Sequence, residues 1–339
     1  MSAAKLIRHL IRPDHQGAGW TPLSWEMCIF WDLDLIGVIK DDDEDAVFYS
    51  ILGRGGDCYG IAVYEGFEGL NSFLMLTMQQ SMNLSTEYTM FNQKNLTCYW
   101  GNRDELSDKQ RKIIRELGYT YRGKNQWLYF LSFEPGYYPY NMDADEVVRM
   151  NEHMQNLERA LNCFDEEAES VDFEHGNMYH IMLDEENEII STGEMPLPFT
   201  SFQFGNLLIT DEELLSDLAK VPKCNAVLEA DLSVLGASVT DKKYDRPANP
   251  ALSLLGDANS GAVIKFEMLK PEDDAIVMLA EILIGFIFQF GAPKEVRVTN
   301  VIVEAGLEQI CDVCKIKLRR VKRLPGLDEF KYSLGRFGY

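Results

Sequence analysis

The segment LSLLGDANSGAVIKFEML, residues 252–269, contains a carboxylate that could take part in metal-dependent chemistry. Its pattern predicts two strands joined by a tight turn, with Asp257 at the end of the first strand. A carboxylate in this position could bind a divalent metal ion and support phosphoryl transfer, as in a metal-dependent nuclease. The letters DANSG are also the residue types that turns select, because their side chains bond the local backbone or they tolerate positive φ. Asp257 is therefore a candidate metal ligand or a turn residue.

The segment EPGYYPY, residues 134–140, contains side chains that could bind a partner. It combines two prolines with three tyrosines, Tyr137, Tyr138 and Tyr140, in one stiff connection. Tyrosine offers a large apolar contact area and a hydroxyl group, and it is enriched at the energetic centres of protein interfaces. The cluster predicts either a protein-binding surface or packing between a helix and a sheet.

The segment KIKLRRVKR, residues 315–323, is strongly basic in an otherwise acidic chain. In a strand, side chains alternate, which would place Lys315, Lys317 and Arg319 on one face. Such charges can protect the edge of a sheet against pairing with other chains. They could instead bind an acidic partner, such as a phosphate backbone or the protein's own acidic half.

Two further motifs predict structure rather than chemistry. Cys311 and Cys314 have the spacing of a metal knuckle, but no second cysteine pair follows to complete four zinc ligands. In a helix the two thiols share a face with apolar residues, so we expect them in the core. The letters LGRGGD lack the Lys-Ser/Thr of a phosphate-binding loop and indicate a hairpin turn. We therefore predict no resident metal.

The composition excludes several classes of protein. A chain of 339 residues is long enough for two domains, each with its own core. Its net charge of -22 argues against bulk binding of nucleic acid, which requires a basic surface. An odd number of cysteines, 7, argues against a disulfide framework. With no secretory signal visible and no apolar run of about 20 residues, the sequence predicts a cytoplasmic protein without a membrane span.

The elements that would position these residues form two domains of an α/β protein. Short strands and helices of the first half predict an α+β domain, and the acidic stretch 165–176 suggests a boundary between domains 1–168 and 169–339. The last third predicts three consecutive strands over 226–269, a buried helix over about 271–290, and a strand at 295–299. A helix and a basic strand then end the regular structure, which gives a mixed sheet.

The segments SGAVIKFEMLKPEDD and FGAPKEVRVTN, with the long helix between them, resemble the cores of integrases. The order of elements is similar to the ribonuclease H-like fold that integrases and transposases share. That resemblance implies carboxylates on the first strand, at the end of the fourth strand and on a later helix, which together hold two metal ions. The implied first-strand residue is Asp231, in LEADLS.

The resemblance also implies a defect in the metal site. The fourth strand ends with Thr299 and Asn300, and neither provides the anionic oxygen that magnesium prefers. Glu304 and Glu308 follow on a predicted helix, and at i and i+4 they share a face. An active site would therefore use Mg²⁺ with Asp231, Asp257 and either Glu304 or Glu308, whereas the missing carboxylate favours a degenerate domain without catalysis.

Several segments resemble those of an uncharacterised group of bacterial two-domain proteins: LGRGG, VYEGFEGL, LGYTYRGKNQWLYFLSFEPGYYPYNMDADEV, RPANPALSLLGDANSGAVI, GAPKEVRVTN and LPGLDEF. The similarity covers most of residues 25–330. It implies two domains and a bacterial or phage origin, but no activity.

The sequence as a whole predicts a non-catalytic binding or regulatory protein of the bacterial cytoplasm, with a protein as its partner and no cofactor. Two alternatives stay open. One is a metal-dependent nuclease of ribonuclease H-like type, and the other is an immunity-type or scaffold protein that uses its acidic surface and the tyrosine turn.

Overall fold

The computed structural model describes residues 30–40, 46–164, 170–198 and 207–337. The chain forms two units, and each unit takes more than one stretch of sequence. The first comprises Met1–Leu74, Gln93–Glu134 and Pro139–Thr200, and the second comprises Met75–Asn92, Pro135–Tyr138 and Ser201–Tyr339. Both units combine helices with a mixed sheet, which confirms the predicted α/β class.

The first unit is built on a seven-stranded sheet with the order β5-β4-β3-β2-β1-β6-β7. Its strands are β1 (Leu35–Ile39), β2 (Val47–Leu52), β3 (Gly60–Glu65), β4 (Asn95–Gly101), β5 (Trp127–Phe133), β6 (Asn177–Leu183) and β7 (Ile189–Pro196). Its helices are α1 (Gly66–Thr77), which continues into the second unit's stretch, α4 (Asp108–Glu116) and α5 (Ala144–Cys163). Between α1 and β4 lie α2 (Gln79–Met82) and α3 (Thr86–Phe91), which belong to the second unit.

The division of the chain differs from the boundary predicted after residue 168. The strands β6 and β7 lie beyond that boundary, yet they complete the first sheet. The reason is that β6 pairs in parallel with β1, where Ile36 lies opposite Tyr179. A parallel pairing between strands so far apart leaves no local signal in the sequence, whereas the acidic stretch before β6 resembled a linker.

The second unit contains a five-stranded sheet with the order β10-β9-β8-β11-β12. Its strands are β8 (Val227–Val234), β9 (Ala251–Asp257), β10 (Val263–Leu269), β11 (Glu295–Val298) and β12 (Lys317–Arg320). The strands β8, β9 and β10 are antiparallel neighbours, and β11 runs parallel to both β8 and β12. Its longer helices are α6 (Glu212–Lys220), α7 (Ala275–Phe290), α8 (Val301–Val313) and α9 (Pro325–Phe337).

The two faces of this sheet carry different side chains because residues alternate along β8. Leu228 and Ala230 point into a large apolar core that includes side chains of α7 and α8. Asp231 lies directly opposite Leu254, which packs with Leu327 of α9. Since paired residues share a face, Asp231 projects from the sheet on the α9 side.

The helix α9 was not predicted from the sequence. Leu324 and Leu327 are fully buried in a small cluster with Leu252 and Leu254, and this packing holds α9 on the sheet. The first turn of α9 is also anchored, because the backbone N–H of Leu327 donates to Oε2 of Glu229 at 3.1 Å. The presence of α9 determines what surrounds Asp231.

In the described ranges, none of the helices combines the length and the apolar character that crossing a bilayer requires. The most apolar, α7, has 16 residues. Asp274 caps its N-terminus by accepting bonds from the N–H groups of Ile276 and Val277, at 2.8 and 3.1 Å.

Candidate functional site

Asp231 is a buried carboxylate whose nearest charged neighbour is the ammonium group of Lys331. The residue is 4% exposed, and Nζ of Lys331 lies 2.7 Å from its Oδ2. Its other oxygen, Oδ1, lies 3.5 Å from the hydroxyl of Thr299 and 3.4 Å from Nδ2 of Asn300. The structure thus places Asp231 of β8 beside the two residues that follow β11 and beside a lysine from α9.

The charges of this pair depend on each other. Burial raises the pKa of Asp231, and the ammonium group of Lys331 opposes that shift. Burial alone would lower the pKa of Lys331, but Asp231 and Asp328 outweigh it and raise the pKa. Asp328 lies one turn earlier on α9, with Oδ1 at 3.3 Å from Nζ of Lys331. Lys331 therefore stays charged and is shared by two carboxylates.

Local hydrogen bonds fix the end of β11 beside this pair. Asn300 is the N-cap of α8, and its side chain accepts a bond from the N–H of Val303 at 2.9 Å. Asn83, with a left-handed φ of 55°, donates from Nδ2 to the carbonyl oxygen of Thr299 at 2.8 Å. The turn after α2 and the start of α8 therefore hold Thr299 and Asn300 close to Asp231.

The Asp231 cavity, as we name it, is a space of about 950 Å³ in the second unit. Its wall combines the ends of β8 and β11, the segment around α3, the connection after β12 and one side of α9. Its principal polar and aromatic lining residues are Asn83, Ser85, Glu87, Tyr88, Phe91, Asp231, Thr299, Asn300, Lys322, Arg323, Asp328 and Lys331. Small-molecule sites in proteins commonly have volumes of about 300–1,000 Å³.

Asp257 does not join this site. It lies opposite Leu228, three residues before Asp231 on β8, so it projects from the other face of the sheet. Its Oδ1 accepts bonds from the N–H of Ser260 at 2.7 Å, the hydroxyl of Ser260 at 2.8 Å and the N–H of Asn259 at 3.1 Å. These bonds, led by the one from the Ser260 backbone, lower the pKa of Asp257. The geometry is that of a turn-forming residue.

We expect Asp257→Ala to lower the free energy of unfolding by about 1 kcal/mol, because the turn loses hydrogen bonds to a charged acceptor at a partly exposed position. Urea denaturation of the full chain measures this change. Asp257→Asn, which retains an acceptor oxygen, is the matched control and should lose less. Equal losses in the two variants would contradict the turn role.

Glu304 and Glu308 also lie apart from Asp231. They are on α8, whose buried residues belong to the core on the opposite face of the sheet. Glu304 forms an ion pair with Arg320 of β12 at 3.5 Å, and Glu308 is exposed. Neither glutamate therefore joins Asp231 and Asp257 in the site that the sequence predicted for an active nuclease.

The three tyrosines of the EPGYYPY segment have partners within their own units. In the second unit, the Tyr137 ring lies 5.7 Å from that of Tyr244, and the Tyr138 ring lies 5.5 Å from that of Phe91. In the first unit, the backbone of Tyr140 exchanges two hydrogen bonds with Ser132. Tyr138 keeps 37% of its surface exposed, so a binding role for this segment stays a prediction.

The basic residues of β12 are partly neutralised by Glu295 of the sheet and Glu304 of α8. Glu295 of β11 lies opposite Lys317, and its carboxylate is within 3.3 Å of Lys317 and 4.0 Å of Arg319. Lys315 precedes the strand with a left-handed φ of 54° and is exposed. This arrangement resembles the predicted charged edge of a sheet, and binding of an acidic partner here stays a prediction.

The two cysteines of CDVC are core residues. Cys311 and Cys314 are 1% and 5% exposed and pack in the main core of the second unit. Burial raises the pKa of the Cys311 thiol to about 12, so it stays protonated. Over the part of the chain that the structure describes, no group of three or more His, Cys, Asp or Glu side chains is arranged to hold a metal ion.

Sequence reasoning missed the residues that α9 contributes to the site. The letters LPGLDEFKYSLGRF carried a usable signal, since Pro325 suits the first helical position and Leu327, Phe330 and Leu334 recur at helical spacing. Given that helix, Asp328 and Lys331 become candidates for charged contacts with the sheet.

Comparison with known domains finds two matches. Residues 22–181 match a domain of unknown function, DUF7309, and residues 214–335 match a second, DUF6930. None of the curated proteins matches the sequence. Among solved structures, one similar chain occurs in the cryo-EM structure of the simian T-cell lymphotropic virus intasome in complex with PP2A regulatory subunit B56 gamma. It is 16% identical with a TM-score of 0.25, and the match covers 32% of this chain and 39% of that chain.

Proposed function

We propose that this member of an uncharacterised family of two-domain proteins is a non-catalytic binding or regulatory protein of the bacterial cytoplasm. Its second unit would be a degenerate ribonuclease H-like domain. Three antiparallel strands followed by two parallel strands, with helices between them, support that assignment. The Asp231 cavity would be its ligand site.

The observation that carries this proposal is the contact of 2.7 Å between Nζ of Lys331 and Oδ2 of Asp231. The ammonium group supplies a positive charge at the carboxylate that a metal ion would otherwise have to bind. The neighbouring positions on β11 are the neutral Thr299 and Asn300, which provide no anionic oxygen for Mg²⁺. A divalent ion would have to displace Lys331 from Asp231, and another sheet carboxylate on that face, Glu229, already accepts the backbone N–H of Leu327.

A metal titration of the full chain tests the proposal. We expect Mg²⁺ or Mn²⁺ to change the Tm of the wild type no more than it changes the Tm of Asp231→Asn. A ligand raises stability only if it binds the native state. The same samples, incubated with fluorescent DNA and RNA oligonucleotides, should show no cleavage that depends on Asp231.

The metal-dependent nuclease is the alternative, favoured by the presence of a buried carboxylate in a large cavity. A rise in Tm with Mn²⁺ that disappears in Asp231→Asn, or cleavage lost in that variant, would contradict the binding role and support the nuclease.

A protein partner is part of the same proposal. The edge strand β10 supports it, since Ile264, Phe266 and Met268 are 40%, 53% and 60% exposed. Apolar side chains grouped on the surface in this way are typical of interaction sites.

A further inference from the structure

We propose that the Asp231 cavity binds a small phosphorylated molecule with a planar ring, of the mononucleotide class. This inference rests on the proposed binding role of the second unit and specifies its ligand. Three properties of the cavity support it: its cations, its size and its aromatic wall.

Two cations line the cavity without an ion-pair partner among the described residues. They are Lys322 and Arg323, in the connection between β12 and α9, and both are exposed. Other basic residues of the same stretch are paired, for example Lys317 with Glu295 and Arg320 with Glu304. The formal charges of the lining balance, with Lys322, Arg323 and Lys331 against Glu87, Asp231 and Asp328, so the attraction for an anion is local to the two unpaired cations.

A phosphate group fits these cations better than a single carboxylate does. Lysine offers a mobile point charge, and arginine offers a planar set of donors that matches phosphate oxygens in pairs. The nearby charge of Asp231 is compensated by Lys331, so it would oppose an anion less than a free carboxylate would. Glu87 and Asp328 also line the cavity, and a hydroxyl or amino group of the ligand could donate to them.

The aromatic residues of the wall suit a planar ring. Tyr88 and Phe91, from α3, both line the cavity, which at about 950 Å³ is large enough for a mononucleotide. Tyr88 also packs against the main core of the second unit and Phe91 lies 5.5 Å from the Tyr138 ring, so a ligand ring would meet the remaining surface of Phe91. Aromatic faces stack on nucleobases largely without regard to base identity. A long nucleic acid is a poorer candidate, because the overall negative charge would repel it.

Isothermal titration calorimetry on the full chain tests the proposal with AMP, GMP, adenosine and inorganic phosphate as probes. We expect AMP or GMP to bind, with adenosine and phosphate about tenfold weaker or more, since each carries only part of the ligand. The double variant Lys322→Ala with Arg323→Ala should bind the nucleotide at least about tenfold more weakly, because charge-assisted hydrogen bonds are lost.

The matched control is Lys242→Ala with Lys270→Ala, which removes the same charge from exposed positions outside the cavity lining. Its affinity should equal that of the wild type. If both double variants bound the nucleotide equally weakly, the loss of affinity would come from net charge alone, and the proposal would be overturned. The absence of binding by every probe, or tighter binding of a single-stranded oligonucleotide than of AMP, would also overturn it. If none of these probes binds and metal ions do not change the Tm, the ligand class alone is refuted. Metal-dependent cleavage of nucleic acid would instead refute the binding role itself.

Discussion

Replacing Lys331 with alanine is expected to lower the free energy of unfolding by about 3 kcal/mol, the lower end of the range for breaking a buried ion pair. Asp231 would keep its charge at a position that is 4% exposed, beside the neutral Thr299 and Asn300 and with the carboxylate of Asp328 nearby. We choose the lower end because the Lys331 side chain is 26% exposed, so water could partly replace the ammonium group.

The loss should depend on pH. The folded pKa of Asp231 is already raised by burial, and it should rise further without Lys331. A raised carboxyl pKa makes the ionised form costly above that pKa, and the cost is relieved as the pH falls through it. The difference between Lys331→Ala and wild type should therefore be smaller at acid pH than at neutral pH.

Urea denaturation of Lys331→Ala and the wild type, at acid pH and at neutral pH, measures these effects. Lys322→Ala removes an exposed lysine nearby and, as the control, should change stability by no more than about 0.5 kcal/mol. The double variant Asp231→Asn with Lys331→Met should recover much of the loss, because it leaves no unpaired charge. If Lys331→Ala proved as stable as the wild type at neutral pH, the two side chains would not form the ion pair described.

Replacing Leu327 with alanine is expected to cost about 3 kcal/mol, within the usual range for a buried leucine. Leu327 is fully buried and packs with Leu252, Leu254 and Leu324, so its loss leaves a cavity between α9 and the sheet. Because Lys331 lies one turn further along α9, the variant should also loosen the contact with Asp231.

Chemical denaturation provides the measurement, and Glu329→Ala provides the control on the same helix. Glu329 is exposed, so its truncation should change stability by no more than about 0.5 kcal/mol. A loss below about 1 kcal/mol for Leu327→Ala would contradict the packing of α9 on the sheet.

Much of the second unit could be predicted from the sequence because its signals are local. The hairpin β9–β10 contains strand residues on either side of a turn, and α7 is an apolar run with an acidic cap at Asp274. The strands β8, β11 and β12 were found in the order that the structure shows. The interpretation of Asp257 as a turn residue also used local information, and its bonds to Ser260 agree with it.

The features that could not be predicted from the sequence depend on contacts between residues far apart in the chain. The strand β4 and the helix α9 were not identified, and α9 is held by side chains of β9. The Asp231–Lys331 pair joins residues separated by 100 positions, and no spacing rule in a single sequence connects them. For the same reason, the parallel pairing of β1 with β6 was not seen.

The interleaved division of the chain has a consequence for its synthesis. Met82 and Leu84 belong to the core of the second unit, yet the ribosome produces them long before Leu228, Leu283 and the other residues of that core. At about 5–20 residues per second, these apolar side chains would wait on the order of tens of seconds for their partners. The strand β1 similarly has one open edge until β6 emerges. The first unit therefore has all of its segments once residue 200 has been made, whereas the early segments of the second unit must wait for the last third of the chain.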